Sequence, residues 1–260
     1  MKTFCFTIDD NIRFLRELCE GEMPSLFSHP YAAMLKRLHD LYGVKIQLNL
    51  FYTDGCFTLS DMTDRYRDEW AAVSGWLRLS FHSKLENVKP YLHSSYDEVH
   101  RDCTAVHCEI LRFAGEASFA KTTTLHYCVS TRDGATALYN CGVRGLLALS
   151  GTSEKPYVCY GLPIGVTSEL QAGKVVMLDG ISYADIDAVL NKLALSEIEP
   201  LIRKLSGRES LRLMIHEQYF YPDYKAYQPD FEEKLETAFT TLAELGFESR
   251  FFEQIIPTVV

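Results

Sequence analysis

Strand-like and helix-like segments alternate through most of this 260-residue chain, and no other feature narrows its fold so much. Short runs rich in β-branched and aromatic residues predict strands at 3–8, 44–52, 76–81, 122–128, 144–149, 174–178 and 211–216, with a last one at 248–252. Between them, apolar residues at helical spacing predict helices at 12–19, 31–42, 59–73, 96–113, 134–141, 183–192, 198–205 and 231–245. In the clearest helix, Val99, Cys103, Val106, Ile110 and Phe113 step by four and three, forming one buried stripe. Leu235, Phe239, Leu242 and Leu245 repeat the pattern before Gly246, a residue suited to ending a helix. Seven or eight β-then-α units predict parallel strands, in a barrel or a doubly wound sheet. No linker, low-complexity tract or repeat divides the chain, so it reads as one α/β domain over residues 1–260. The loosest stretch is 151–173, with Gly151, Pro156, Gly161, Pro163, Gly165 and Gly173; it predicts an excursion folded as a β-hairpin.

Composition sets the class of partner. Apolar residues make up 47% of the chain and charged ones 23%, ample for a sizeable core. The net charge is -9 and no Lys/Arg cluster occurs, which argues against nucleic acid or an anionic membrane as the main partner. No apolar run has transmembrane length, and the first residues (one Lys, a strand, then carboxylates) do not read as a signal peptide. The eight cysteines include no C-x-x-C pair, and several sit inside apolar patterns. They read as reduced thiols, which points to a cytoplasmic protein.

In parallel α/β folds chemistry gathers at the C-terminal ends of strands, so polar residues there become candidates. Asp9 and Asp10 end the first strand. Adjacent carboxylates repel and resist desolvation, which suits a metal and a water to be deprotonated, unless one merely caps the next helix. His82 follows strand 76–81, with Glu86 four residues on; His126 lies near the end of 122–128; His216 ends 211–216, followed by Glu217, Gln218 and Tyr219. Carboxylate and imidazole together suit a divalent transition metal such as zinc. Asp10, His82 and a third ligand would leave a position open for water, a remaining carboxylate would take a proton, and a remaining His would donate one. His100 and His107 flank the apolar stripe of their helix and read as surface or boundary residues, His29 and His39 as loop and helix-surface residues. Trp70 and Trp76 read as core. Tyr219, Phe220, Tyr221, Tyr224 and Tyr227 would either pave a carbohydrate groove or pack over a barrel rim.

These motifs, in this order, resemble the NodB-like polysaccharide deacetylase superfamily, carbohydrate esterase family 4 and its relatives. Thr7-Ile8-Asp9-Asp10-Asn11 resembles the family's T-F-D-D-G motif, Ser80-Phe81-His82-Ser83-Lys84-Leu85-Glu86 its H-[ST]-x-x-x-H motif, and Leu213-Met214-Ile215-His216 its late L-x-H motif. The resemblance implies a distorted (β/α)7 barrel. It implies that Asp9 is the base, that Asp10 and His82 hold a divalent metal such as zinc, and that His216 is the general acid. Glu86 stands where the family has its second His ligand, with His126 as a reserve ligand. The family's arginine-proline motif is not visible; Leu125-His126-Tyr127-Cys128 takes roughly its place, with Arg132 beyond, and Asp179 is the one candidate to tune the acidic His. The implied function is metal-dependent hydrolysis of a C–N amide bond, removing acetyl from an N-acetylated sugar. A cytoplasmic version would act on a soluble precursor or small oligosaccharide. Two alternatives stand beside it: a metal-independent cyclic amide or ureide hydrolase of the same fold, and an inactive glycan-binding barrel.

Overall fold

Strand β1 (Lys2–Asn11) runs through the middle of a parallel sheet in a computed structural model that describes residues 1–86, 90–151 and 159–256. It pairs with β2 (Ile46–Thr53) on one side and β9 (Ser210–His216) on the other. Beyond them lie β3 (Leu77–Leu85), paired to β2, and β8 (Ala188–Val189), paired to β9. The short β10 (Phe247–Ser249) pairs with the first residues of β1, in register Lys2 with Phe247. A second sheet runs in the order β4 (Thr122–Thr123), β5 (Gly145–Ala148), β7 (Ile181–Asp185), β6 (Val176–Leu178), and only β6 is antiparallel.

Two seams join the sheets into a distorted barrel that no continuous ladder closes. At one, Ala120 N donates to Leu79 O at 2.9 Å and Ser80 Oγ to Thr122 O at 2.7 Å. At the other, Ile186 N donates to Ala148 O and Asp187 N to Arg212 O, both at 2.8 Å. Helices α1 (Arg13–Glu20), α2 (Pro30–Tyr42), α3 (Arg67–Val73), α4 (Tyr96–Phe113), α5 (Arg132–Asn140), α6 (Ile164–Gln171), α7 (Leu195–Leu205) and α8 (Phe231–Glu244) alternate with the strands. The stripe read from the sequence of α4 is buried as a unit. One apolar cluster runs from Phe4 to Phe252. No helix among the described residues is long and apolar enough to cross a membrane. All eight cysteines are free thiols.

Several local expectations fail for identifiable reasons. Residues 183–192 are not a helix: they contribute to β7 and β8 and end in a single 3-10 turn, Leu190–Lys192. A strand buried on both faces loses its alternation and cannot be told from a helix by periodicity. Asp185 accepts from the Ser150 hydroxyl and Asp187 from the Arg212 backbone N–H. Only Thr122 and Thr123 of 122–128 are strand, because the chain then turns at His126–Cys128. Within 59–73 the helix shrinks to α3 behind a 3-10 turn, Leu59–Asp61. Of the excursion 151–173, residues 152–158 lie outside the described residues, and the rest carries α6 rather than a hairpin strand. His107 is buried rather than at the surface, its ring 4.5 Å from that of Phe119 and its Nε2 3.5 Å from Cys103 Sγ.

The second seam depends on a buried ion pair. Arg212 and Asp187 have side chains only 1% exposed, and Arg212 Nε lies 3.0 Å from Asp187 Oδ2. Arg212 Nε also donates to Asp185 O at 2.8 Å, and Arg208 supplies Asp187 with a second cation. Arg212→Met is therefore expected to destabilise the fold by about 3 kcal/mol in urea unfolding, and Arg212→Met with Asp187→Leu to recover most of that loss. A loss near zero for the single variant would remove the seam from the list of structural supports. Burial pushes the His107 pKa from 6.5 down to about 4. Between those values the unfolded chain binds a proton that the folded chain refuses, so stability falls as the pH drops through that window. The stability of His107→Phe should vary less with pH there than that of wild type.

Candidate metal and catalytic site

Adjacent residues of a regular strand point to opposite faces, so Asp9 and Asp10 could not share one mouth of the barrel without a break in β1. The break is a β-bulge. Ile8 pairs with Leu48 and Asn11 with Leu50, one residue more on β1 than on β2. Asp10 takes φ +63, in the left-handed region. A second irregularity falls at His82: Leu50 pairs with Phe81 and Phe51 with Ser83, leaving His82 as the extra residue. Past His126, Tyr127 and Cys128 also take positive φ, 60 and 54. Such conformations cost on the order of 1–3 kcal/mol each and persist only where surrounding contacts over-determine them.

These distortions bring Asp10, His82 and His126 together. Asp10 Oδ1 lies 2.9 Å from His82 Nε2 and 3.2 Å from His126 Nδ1, and the two ring nitrogens are 3.1 Å apart. All three residues are buried. The other ring nitrogens are committed: His82 Nδ1 donates to Thr124 O, and His126 Nε2 donates to Glu86 O at 2.6 Å. Those bonds leave lone pairs on His82 Nε2 and His126 Nδ1, facing a carboxylate oxygen. Three acceptors at these separations repel unless a positive charge sits among them. Burial disfavours a charge on His82, but the Asp9 and Asp10 carboxylates outweigh it and raise its pKa. Burial likewise opposes ionisation of Asp10, yet the imidazoles of His126 and His82 beside it hold its carboxyl well below the usual range. Ligands about 2.0–2.1 Å from a zinc-sized ion stand roughly 2.9–3.4 Å apart in octahedral to tetrahedral arrangements, so this donor set fits a divalent cation.

Asp9 and His216 flank the group in a cavity of about 680 Å³. Asn49 Nδ2 donates to Asp9 Oδ1 at 2.6 Å; Asn49 is held by Gln47 at 2.7 Å, and Gln47 by Thr122. Burial pushes the Asp9 pKa up to about 6, with His82 pulling against it. His216 Nδ1 donates to Asn191 Oδ1 at 2.8 Å, and the protein packed around the ring pushes its pKa down to about 4. Gln218 Nε2 donates to Asp10 Oδ2 at 2.7 Å. Sequence reasoning named neither Asn49 nor Asn191, and named Gln218 only as a residue that follows His216. Gln47 and Asn49 did carry a signal, two amides alternating with Ile46, Leu48 and Leu50 in an otherwise apolar strand. Asn191 carried none.

Two expected roles fall to other residues, although Glu86 still lines the cavity. The Glu86 carboxylate does not join the Asp10–His82–His126 group. The physical reason is that β3 stays extended to Leu85, whereas a four-residue ligand spacing needs a helical turn; four strand residues span about 13 Å. Glu86 contributes its backbone carbonyl instead, and His126 takes the third corner. Asp179 pairs with Arg132, so Asn191 rather than Asp179 holds His216. The aromatic cluster divides. Tyr219 and Tyr224 line the cavity with ring centroids 5.4 Å apart, while Phe220 and Tyr221 pack inward on Tyr31.

No protein-family model matches the sequence, and no curated protein matches it either. Solved structures do. The chain is similar to a family 4 acetyl xylan esterase from Clostridium thermocellum, solved in complex with a cobalt ion, at TM-score 0.51 and 14% identity over 98% of this chain and 90% of that one. It is similar to a putative polysaccharide deacetylase from Mycobacterium smegmatis at TM-score 0.57 and 11% identity, over 98% and 89%. It is also similar to a 4-alpha-glucanotransferase from Thermococcus litoralis at TM-score 0.61 and 14% identity, over 98% of this chain and 40% of that one. At such identities the likeness is one of architecture, and the chain has the fold of the NodB-like polysaccharide deacetylases that its three motifs resemble.

Proposed function

We propose that this protein is a metal-dependent hydrolase of C–N amide bonds that removes the acetyl group from an N-acetylated carbohydrate. The observation that carries the reading is the convergence of Asp10 Oδ1, His82 Nε2 and His126 Nδ1, three lone-pair donors, beside a buried carboxylate. A divalent cation such as zinc, held by those three residues, supplies a Lewis acid for the acetyl carbonyl and acidifies water. The chain's own groups do the rest. Asp9 accepts the proton of the attacking water through the oxygen that Asn49 leaves free. Gln218 holds the second oxygen of Asp10, which fixes the orientation of that carboxylate. Asn191 occupies His216 Nδ1, so Nε2 is the atom left to carry a proton to the departing amine. Tyr219 and Tyr224 offer ring faces to a sugar.

A metal-independent cyclic amide hydrolase drew its support from Glu86 in a ligand position, and His126 at the third corner weakens that support. An inactive glycan-binding barrel keeps one specific observation in its favour. Asn191 stands beside His216 where a carboxylate would stabilise the imidazolium, so little of the protonated general acid is present near neutral pH.

Chain purified without chelator and dialysed against zinc should retain about one equivalent by mass spectrometry of the metal, and His82→Ala with His126→Ala should retain none. Wild type should release acetate from N-acetylglucosamine oligomers, with Asp9→Asn slower by about 10²–10⁴-fold at unchanged metal content. His216→Ala should lower kcat with metal still bound. A wild-type protein that binds zinc and the oligomers yet releases no acetate would favour the glycan-binding barrel; one that takes up no metal and is no more active than Asp9→Asn would remove the hydrolase reading.

A further inference from the structure

The cavity that holds the acidic and imidazole groups is also lined by Lys192 and Lys225. In a chain of net charge -9, two lysines share this cavity with the carboxylates of Asp9, Asp10 and Glu86 and offer positive charge beside them. No ion pair among the described residues engages either of them, although Glu86 lines the same cavity and feels the charge of Lys225. Nothing in the metal and proton-transfer chemistry calls for them, since His216 is the proton carrier and a nearby cation only makes protonating it harder.

Their backbones are fixed relative to the reacting groups. Lys192 follows Asn191, whose side chain holds His216 and whose carbonyl accepts from Gln228 Nε2 at 2.8 Å. Lys225 follows Tyr224 in a loop of successive turns, with Tyr224 N donating to Tyr221 O at 3.0 Å and Tyr227 N to Tyr224 O at 2.9 Å. Gln228 closes that loop by donating its own N–H to Tyr219 O at 3.0 Å. Its side chain is in turn held by Lys234, only 4% exposed, whose Nζ donates to Gln228 Oε1 at 2.8 Å. One glutamine thus ties together the two segments that bring lysines to the cavity, and the same loop carries the tyrosine pair.

We propose that Lys192 and Lys225 form an anion-binding subsite, and that the sugar taken by this cavity carries a negatively charged group, a phosphate or a carboxylate, beside its acetylated amine. This substrate class rests on the deacetylase reading of the same cavity. Calorimetric titration of the zinc-loaded full chain with N-acetylglucosamine, its 1-phosphate and its uronic acid tests it. Wild type should bind at least one charged sugar about tenfold more tightly than the neutral one, and the preference should shrink as salt screens the lysines. Which charged sugar is preferred tells phosphate from carboxylate. Lys192→Met with Lys225→Met should bring the affinities together, while Lys36→Met, an exposed lysine of α2, should not. Equal affinity for all three sugars, no measurable binding of either charged one, or a preference that survives in the double variant overturns the subsite. Acetate release separates the two readings. Selective binding of a charged sugar without release leaves the subsite standing and removes the deacetylase. Release from neutral and charged sugars at equal kcat/KM does the reverse.

Discussion

The grip of Glu217 and Gln218 on the turn that follows β1 is the interaction on which the rest of the site depends. Glu217 is 1% exposed, and its carboxylate accepts the backbone N–H groups of Ile12 and Phe14 at 2.8 and 2.6 Å and that of Arg13 at 3.2 Å. These are the otherwise unpaired donors at the start of α1, where a carboxylate is favoured both by hydrogen bonding and by the helix dipole. Tyr221 donates its hydroxyl to the same carboxylate at 2.8 Å. Gln218, the next residue, reaches Asp10 Oδ2. The two residues after β9 therefore fix the chain at the bulge and just beyond it, and hold Asp10 in its left-handed conformation. Asn11 adds a third hold, donating to Ile8 O at 2.5 Å and accepting from Tyr31 at 3.0 Å.

From that anchored bulge the electrostatics follow. Parallel strands deliver Asp9, Asp10, His82 and His216 to one end of the barrel, and the turn after β4 adds His126. Carbonyls of Thr124 and Glu86 take the outward ring N–H groups, which sets the inward faces of both imidazoles as acceptors. A buried cluster of acceptors is costly by itself and becomes favourable only with a cation among them. Neutral amides orient the neighbouring groups, Asn49 on Asp9 and Asn191 on His216, while nearby charges act on both. This leaves Asp9 with a pKa of about 6 and His216 with one of about 4, both set first by burial.

Much of this was legible in the chain and some was not. The helix of Val99, Cys103, Val106, Ile110 and Phe113 was, because a single amphipathic stripe has only one way to bury itself. The strands that carry Asp9, His82 and His216 near their C-terminal ends were, because short β-branched runs give way to polar residues there. Strand β7 was not, because burial on both faces erases its period. Glu86 was placed among the ligands because it stands where the resembled motif has its second His, and nothing local shows that β3 stays extended to Leu85.

The sequence by itself determined which chemistry was available: paired carboxylates and imidazoles at strand ends, in an acidic chain rich enough in apolar residues to bury them. Tertiary structure alone decided which of those groups meet. His126 rather than Glu86 stands with Asp10 and His82, and Asn191 rather than Asp179 holds His216. The reason is geometric: a one-residue bulge, a positive φ or a seam between sheets redirects a side chain by a whole strand face, and each of these is fixed by partners far away in the chain, as Glu217 is for Ile12 and Thr124 for His82.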